Sequence, residues 1–230
     1  MADTTPQKRP IECIGIILDG NRRWAKERGL PQLEGHRRGF NNLKSVARWV
    51  RDRNIPHLVV FAFSTENFNR TSEEVSYLMG MIRAAVREEA SVLSNEGIRL
   101  RFAGDRSRLE PDIQAALTKA EEKSAWNSKC TLWICLSYGG RAEIAAAAAV
   151  ASKSGDISEQ SIAANLWTAG MPDPDIIIRT GGQRRLSNFL LWQSAYSELF
   201  FLDMLWPDFG EKDLDGVLSE FTTRKRNFGI

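Results

Sequence analysis

Three short segments of this 230-residue chain concentrate the residue types that handle phosphate. The first is Asp19-Gly20-Asn21-Arg22-Arg23-Trp24. Gly20 permits a tight turn that a side chain would obstruct. A helix after that turn offers free backbone N–H groups and the positive end of its dipole, a ready anion site. Arg22 and Arg23 add fixed charge in planar forks that match phosphate oxygens. Asp19 has no basic partner within its own strand, and a carboxylate beside a phosphate cradle is best explained by a bridging magnesium ion. A helix cap with solvated arginines is the plain alternative.

The second segment is Phe63-Ser64-Thr65-Glu66-Asn67-Phe68-Asn69-Arg70. A polar loop that caps the next helix through Thr71 or Ser72 explains part of it. Two phenylalanines around hydroxyls, amides, a carboxylate and an arginine also suit an apolar chain with a charged head. The third is Arg179-Thr180-Gly181-Gly182-Gln183-Arg184-Arg185-Leu186-Ser187-Asn188. Its arginines suggest phosphate or diphosphate, and its paired glycines let backbone approach a ligand closely. A solvated basic loop explains the arginines but neither the Gly-Gly turn nor the apolar residues 189–192. Glu198 is a second candidate carboxylate, for a metal or for an arginine. His36 begins a helix, and a lone histidine is more often structural than catalytic. No nucleotide-binding G-x-x-x-x-G-K-[ST], no G-x-G-x-x-G after a strand and no nucleophile elbow occurs. Two arginine-rich loops with carboxylates and abundant apolar surface point to two diphosphate ligands.

The elements that must position these residues follow from hydrophobic periodicity. Strands are expected at residues 13–18, 58–63, 98–103, 130–137, 175–179 and 189–192. Helices are expected at 36–54, 72–95, 111–125, 140–152, 157–167 and 211–227, with another after Gly20. Gly97 is placed to close the long helix as a C-terminal cap. This alternation implies an α/β fold: a mostly parallel central sheet of about six strands flanked by helices. Ligands of such sheets bind beyond the carboxyl ends of the strands, where all three segments begin.

Hydrophobic residues make up 43% of the chain and charged residues 26%, the balance of an ordinary soluble globular protein. The net charge of +2 gives no global basic field, so no nucleic-acid partner is expected. Cys13, Cys130 and Cys135 lack metal-ligand spacing, and Cys13 and Cys130 read as buried thiols. No stretch approaches the ~20 apolar residues of a membrane span, and residues 1–10 carry no apolar core. A cytoplasmic protein is expected, with peripheral membrane contact left open. A flexible tail over 1–11 and a single catalytic domain over 12–230 complete the expected organisation.

Taken together, the motifs resemble the cis-prenyltransferase family, the family of undecaprenyl diphosphate synthase, from about Cys13 to Gly229. Ser137-Tyr138-Gly139-Gly140-Arg141 and Trp206-Pro207-Asp208-Phe209 add to the three segments. The resemblance implies an enzyme that condenses isopentenyl diphosphate with an allylic prenyl diphosphate. It implies that Asp19 holds Mg2+ against a diphosphate, with help from Glu198. Gly20, Asn21, Arg22 and Arg23 would cradle the allylic diphosphate, assisted by His36. Ser64, Glu66 and Asn67 would line the reacting centre, with Asn67 near the proton that is lost. Trp24, Phe63 and Phe68 would touch the prenyl chain, and Arg70 belongs to the same substrate-binding segment. Arg179, Arg185 and Ser187 would hold isopentenyl diphosphate. A homodimer and an apolar tunnel between sheet and helices are implied as well.

Three positions depart from the family pattern. Gln32 stands where arginine is common, Gln183 where Gly-Gly-Glu is usual, and Asn227-Phe228-Gly229 where R-x-G is expected, with Arg226 as a substitute. Each removes charge near a diphosphate. An undecaprenyl-like or medium-length product is expected, with Ala62 leaving room for the chain and Trp133 and Leu136 able to shorten the tunnel. The rivals are a short-chain or irregular prenyl coupling enzyme and a non-catalytic subunit.

Overall fold

A computed structural model of the chain describes residues 10–224. Six strands form one sheet in which every pairing is parallel. They are β1 Cys13–Ile17, β2 His57–Ser64, β3 Ile98–Ala103, β4 Cys130–Tyr138, β5 Ile176–Arg179 and β6 Glu198–Phe201. Their spatial order is β3-β4-β2-β1-β5-β6. The helices are α1 Asn21–Glu27, α2 Gln32–Asp52, α3 Ser72–Asn95, α4 Pro111–Ser124, α5 Gly140–Lys153, α6 Glu159–Asn165 and α7 Glu211–Thr223. β1 and β5 are buried at every position, which is why they read as unbroken isoleucine-rich runs.

Two apolar clusters cover the two faces of the sheet. One joins Ile14, Leu58, Leu100, Leu132 and Ile176 to α2, α3, α4 and α7. The other joins Cys13, Val59, Trp133, Tyr138 and Ile177 to Phe189 and Leu190. Alternation along β4 therefore sends Trp133 to the second face and Leu132, Ile134 and Leu136 to the first.

The predicted strand at 189–192 is a turn. Ser187, Asn188 and Leu190 have φ of 50, 68 and 45 degrees, a left-handed conformation incompatible with an extended run. Phe189 and Leu190 are nonetheless fully buried, so burial without strand pairing explains their apolar character. The sixth strand is β6, whose Glu198 was read as a site residue. Helix α2 begins four residues ahead of expectation, with Pro31 at its N-cap. The expected last three or so residues of α7, up to 227, and Arg226, Asn227 and Gly229 lie outside the described residues.

β1 has β2 on one side and β5 on the other, so the chain reverses direction across the sheet at β1. That switch point opens a crevice at the carboxyl ends of the strands. A register shift at Phe61–Ser64 interrupts the alternation of β2. As a result Phe61, Ala62, Phe63 and Ser64 all line the crevice, a re-aiming that bulges commonly perform.

Candidate active site

Asp19 stands just past β1 at the centre of the crevice. Its Oδ2 accepts from Arg179 Nη2 at 2.9 Å and its Oδ1 from Arg23 Nη2 at 3.3 Å. One carboxylate is thus gripped by an arginine from each basic loop, although neither partner lies in its own strand. Trp206 N–H and the Thr180 hydroxyl both donate to the Asp19 carbonyl, fixing the turn. Gly20 takes φ 117 degrees, and a Cβ there would come within 2.9 Å of the Leu205 backbone.

Arg179 is 4% exposed. Besides Asp19, it donates through Nη1 to the Arg185 carbonyl at 2.5 Å and to Ser187 Oγ at 2.7 Å. Its Nε–H is buried without a partner, a donor left for a ligand. Arg23 also donates to the Gly181 carbonyl at 2.7 Å, joining the first loop to the Gly-Gly turn.

The first two helices pack through glycine. A Cβ on Gly35 would lie 2.0 Å from the Asn21 carbonyl, and one on Gly39 would lie 2.1 Å from Asn21 Oδ1. The pair, one turn apart, lets α2 rest on the start of α1 and turns His36 into the crevice. Asn21 Oδ1 and His36 Nε2 are both buried without a hydrogen-bond partner, and His36 Nε2 faces Glu74 Oε1 at 3.8 Å. Burial holds the His36 imidazole below its ordinary range; Arg70 and Arg22 add to this and Glu74 opposes it. Burial lowers His57 as well, with Arg99 adding and Glu12 opposing.

Such histidines take protons more readily in the unfolded chain, so stability falls as pH drops below the ordinary value of about 6.5 toward the depressed ones. Denaturant midpoints measured from pH 7 to 5 should decline more steeply for wild type than for a His36→Gln/His57→Gln double variant. Equal slopes would remove both groups from the account.

On the other wall, Ser64 and Asn67 form a reciprocal cap, with Ser64 N–H donating to Asn67 Oδ1 at 3.0 Å. Glu66 Oε1 accepts from Asn188 Nδ2 at 2.8 Å. Burial acts to raise the Glu66 carboxyl, but hydrogen bonds led by Asn188 outweigh it and hold the group below its usual range. Phe63 meets Phe68 edge to face at 4.9 Å. Arg70 donates to Glu74 at 2.9 Å.

The crevice holds a cavity of about 610 Å3 lined by Asp19, Asn21, His36, Glu66, Asn67, Arg70, Arg179 and Ser187 among others. Beside it lies a cationic one of about 500 Å3, walled by Gly20, Arg22, Arg23, Lys26 and Arg70. Beneath it, between the sheet, α2 and α3, is an apolar cavity of about 130 Å3 that includes Ala62, Phe63, Leu78, Ile134 and Leu136. A further space of about 40 Å3 shares Phe40, Leu43, Phe102 and Ile134 with it and reaches Lys44 and Glu89. The arrangement can grip two anionic heads above and an apolar tail below.

Four expected site residues lie elsewhere. Trp24 lines none of these cavities; it is buried with its indole N–H on Asp208 Oδ1 at 2.6 Å and the Arg28 guanidinium 4.4 Å over its ring. Phe68 lines none of them either, and carries the Arg108 guanidinium 4.3 Å above its ring. The exposed Arg185 side chain bonds Gln183 Oε1 at 2.7 Å, and only its carbonyl meets Arg179. Glu198 pairs in register with Ile176, about 10 Å along β5 from Arg179, at the opposite end of the strands from Asp19. It accepts from Arg224 at 2.9 Å, and within one chain it is no partner of Asp19. Trp133 lies on the far face of the sheet and does not shorten the apolar space, whereas Leu136 does line it.

Among the described residues no three His, Cys, Asp or Glu side chains gather as metal ligands. A lone carboxylate beside open cationic space fits a magnesium ion only in the manner common for that ion, completed by phosphate oxygens of the substrate.

The family described as "Putative undecaprenyl diphosphate synthase" matches residues 17–229. The chain belongs to this prenyltransferase family. An isoprenyl transferase of Agrobacterium fabrum is 46% identical, over 98% of this chain and 95% of its own. One from Brucella suis is 46% identical, over 94% and 88%. The crystal structure of lavandulyl diphosphate synthase from Lavandula x intermedia, in complex with dimethylallyl diphosphate, superposes with a TM-score of 0.91 at 37% identity, covering 96% of this chain and 98% of that one. A probable undecaprenyl diphosphate synthase from Campylobacter jejuni gives 0.83 at 30%, covering 96% and 100%. The protein is therefore a prenyltransferase enzyme of α/β fold.

Within this prenyltransferase, two departures from the family pattern acquire a local sense. Gln32 Oε1 accepts from Arg22 Nε at 3.0 Å, and Gln183 Oε1 accepts from Arg185. Each neutral amide supports an arginine. Asn188 stands in the third segment, where sequence reasoning gave it no role of its own. It donates to Glu66, while Arg141 N–H and Gly140 N–H donate to its side chain and carbonyl at 2.8 and 2.7 Å. The signal available in the sequence was its residue type after a serine, since asparagine is among the few non-glycine residues that tolerate the left-handed conformation it adopts here.

Proposed function

We propose that the chain condenses isopentenyl diphosphate with an allylic prenyl diphosphate in cis geometry, giving a prenyl diphosphate lengthened by isoprene units. The single observation that carries this reading is Asp19 held between Arg23 and Arg179, one from each basic loop, above an apolar cavity. The allylic head takes the cationic space of Gly20, Asn21, Arg22, Arg23 and His36, with its tail directed beneath. Isopentenyl diphosphate takes Arg179 and Ser187. Asp19 would hold Mg2+ against the diphosphates, and the ion supplies neutralisation of the leaving charge. The arginines hold the diphosphate as the allylic C–O bond breaks. The isopentenyl double bond forms the new C–C bond, and a proton leaves its C2 beside Asn67 and Glu66. Fixing both heads at separate sites sets the geometry of the new double bond.

Radiolabelled isopentenyl diphosphate offered with dimethylallyl, geranyl or farnesyl diphosphate tests the reading. A ladder of products ending at one length is expected. No incorporation by folded protein with any primer would sink it. The likeness to lavandulyl diphosphate synthase supports a second reading, an irregular coupling of short prenyl diphosphates. In that case dimethylallyl diphosphate alone gives a single branched product.

Product length is proposed to be set where Lys44 Nζ meets Glu89 at 2.7 Å, joining α2 to α3 at the end of the apolar space. A prenyl tail cannot lie against that pair without burying charge. A Lys44→Ala/Glu89→Ala variant should lengthen the dominant product by one isoprene unit or more. Unchanged lengths would show that the pair does not limit the chain. We further propose a homodimer in the cytoplasm that touches membrane only peripherally. No helix among the described residues is long and apolar enough to cross a membrane. Sedimentation and liposome flotation test these two points.

A further inference from the structure

Glu143 of α5 is fully buried, and the chemistry above makes no use of it. A carboxylate in that setting is costly unless every lone pair is occupied. Its Oε1 accepts from Thr168 N–H at 3.0 Å and Thr168 Oγ1 at 2.8 Å. Its Oε2 accepts from the Tyr138 hydroxyl and from Gln193 Nε2 at 3.1 Å. All four donors are neutral, so hydrogen bonds and no ion pair hold the group in place.

Two of these donors lead to the substrate crevice. Tyr138 ends β4, and its ring meets Phe61 and Phe189 edge to face at 6.0 and 6.3 Å. Phe61 stacks on Phe189 at 4.9 Å and lines the main cavity. Gln193 closes the turn in which Ser187, Asn188 and Leu190 are left-handed. Such residues persist only where surrounding contacts over-determine them. The turn is held at its start by Arg179 on Ser187, at its middle by Asn188 on Glu66 and the β4–α5 backbone, and at its end by Gln193 on Glu143.

We infer that Glu143 is a positioning residue for the second diphosphate site: by anchoring Gln193 and Tyr138 it holds the strained turn that presents Ser187 and Asn188. The inference rests on the proposed function for the identity of the ligand, not for the existence of the anchor. Glu143 touches neither substrate. Its loss frees the far end of the turn while the allylic cradle of α1 and α2, which shares no contact with it, stays intact.

The test compares Glu143→Ala with Glu143→Gln. Alanine leaves buried donors unpaired and should raise KM for isopentenyl diphosphate by about tenfold or more, a loss on the scale of one such orphaned group. KM for the allylic primer should move by less than about threefold, since the turn reaches that cradle only indirectly, through Arg179 and Asp19. Amide exchange over residues 186–193 should quicken. Glutamine should restore most of the affinity, because Gln193 Oε1, now buried without a partner, can turn to accept from the new amide. Gln193→Ala should reproduce the alanine signature and serves if Glu143→Ala does not fold. A lowered melting temperature with both KM values unchanged, or raised alike, would overturn the inference. Should wild type incorporate no isopentenyl diphosphate, the functional reading fails, while the exchange rates of the variants still decide the anchor.

Discussion

Asp19→Ala should cut kcat by roughly a thousandfold, the scale on which a preorganised charge-stabilising group acts. Two effects combine. The carboxylate that would hold the cation is gone, so the departing diphosphate would lose the neutralisation that ion would supply. Arg179, which is 4% exposed and bonds Asp19 at 2.9 Å, is left with an uncompensated charge. The second effect should lower the melting temperature modestly, because Asp19 itself is partly open to solvent and its ion pairs are screened. Single-turnover measurement at saturating substrate separates the two. The chemical step should be slow even where substrate binds. A variant that keeps more than about a tenth of wild-type kcat would remove Asp19 from the mechanism. A protein that served only as a scaffold would keep its partner binding and show no activity to lose.

Arg179→Ala should lower kcat/KM for isopentenyl diphosphate by two to three orders of magnitude, roughly 3–4 kcal/mol. Three contacts vanish together: to Asp19, to Ser187 Oγ and to the Arg185 carbonyl. The Nε–H that waits without a partner goes too. Arg179→Lys should recover little, since one ammonium cannot replace a fork that spans three acceptors. KM for the allylic primer should change far less in either variant. Competition of inorganic pyrophosphate against each substrate reads the two sites separately. Equal losses at both sites would mean that Arg179 supports the crevice as a whole and has no particular diphosphate.

Strands and helices were legible wherever one residue type or period dominated. β1, β2 and β5 are buried along most of their length, so their composition alone marked them. The 24-residue α3 carried a clear apolar period, the Thr71 cap and a closing Gly97 with φ 84 degrees. The segment at 189–192 misled because burial selects apolar residues whether or not the backbone pairs. What marked it as a turn was Ser-Asn before it, a weaker signal than four large hydrophobics.

Among the candidate site residues, local spacing marked those that the fold gathers at the crevice: Asp19, Asn21, Arg22 and Arg23, then Ser64, Glu66 and Asn67, then Arg179 and Ser187. Side-chain direction escaped it. Trp24 lies in the first motif yet turns to Asp208, 184 residues away. Glu198 is close to the third motif in sequence but stands at the amino end of β6, away from Asp19 within one chain. Trp133 and Leu136 share a strand but face opposite sides of the sheet.

By itself the sequence pointed to two diphosphate ligands, because arginine forks, glycine turns and lone carboxylates after strands carry their meaning in residue type and local order; the prenyltransferase reading came from the resemblance that the motifs carry together. The sequence determined the alternation of strand and helix for the same reason, since hydrophobic period is a local property. The tertiary structure alone decided that Arg179 reaches Asp19 across 160 residues of chain and that Arg23 reaches the Gly181 carbonyl across 158. It alone decided that Asn188 bridges the two substrate walls, and that Glu143 is buried among four neutral donors. Those pairings depend on strand order and register, and a parallel sheet sets both through crossovers that no single segment records.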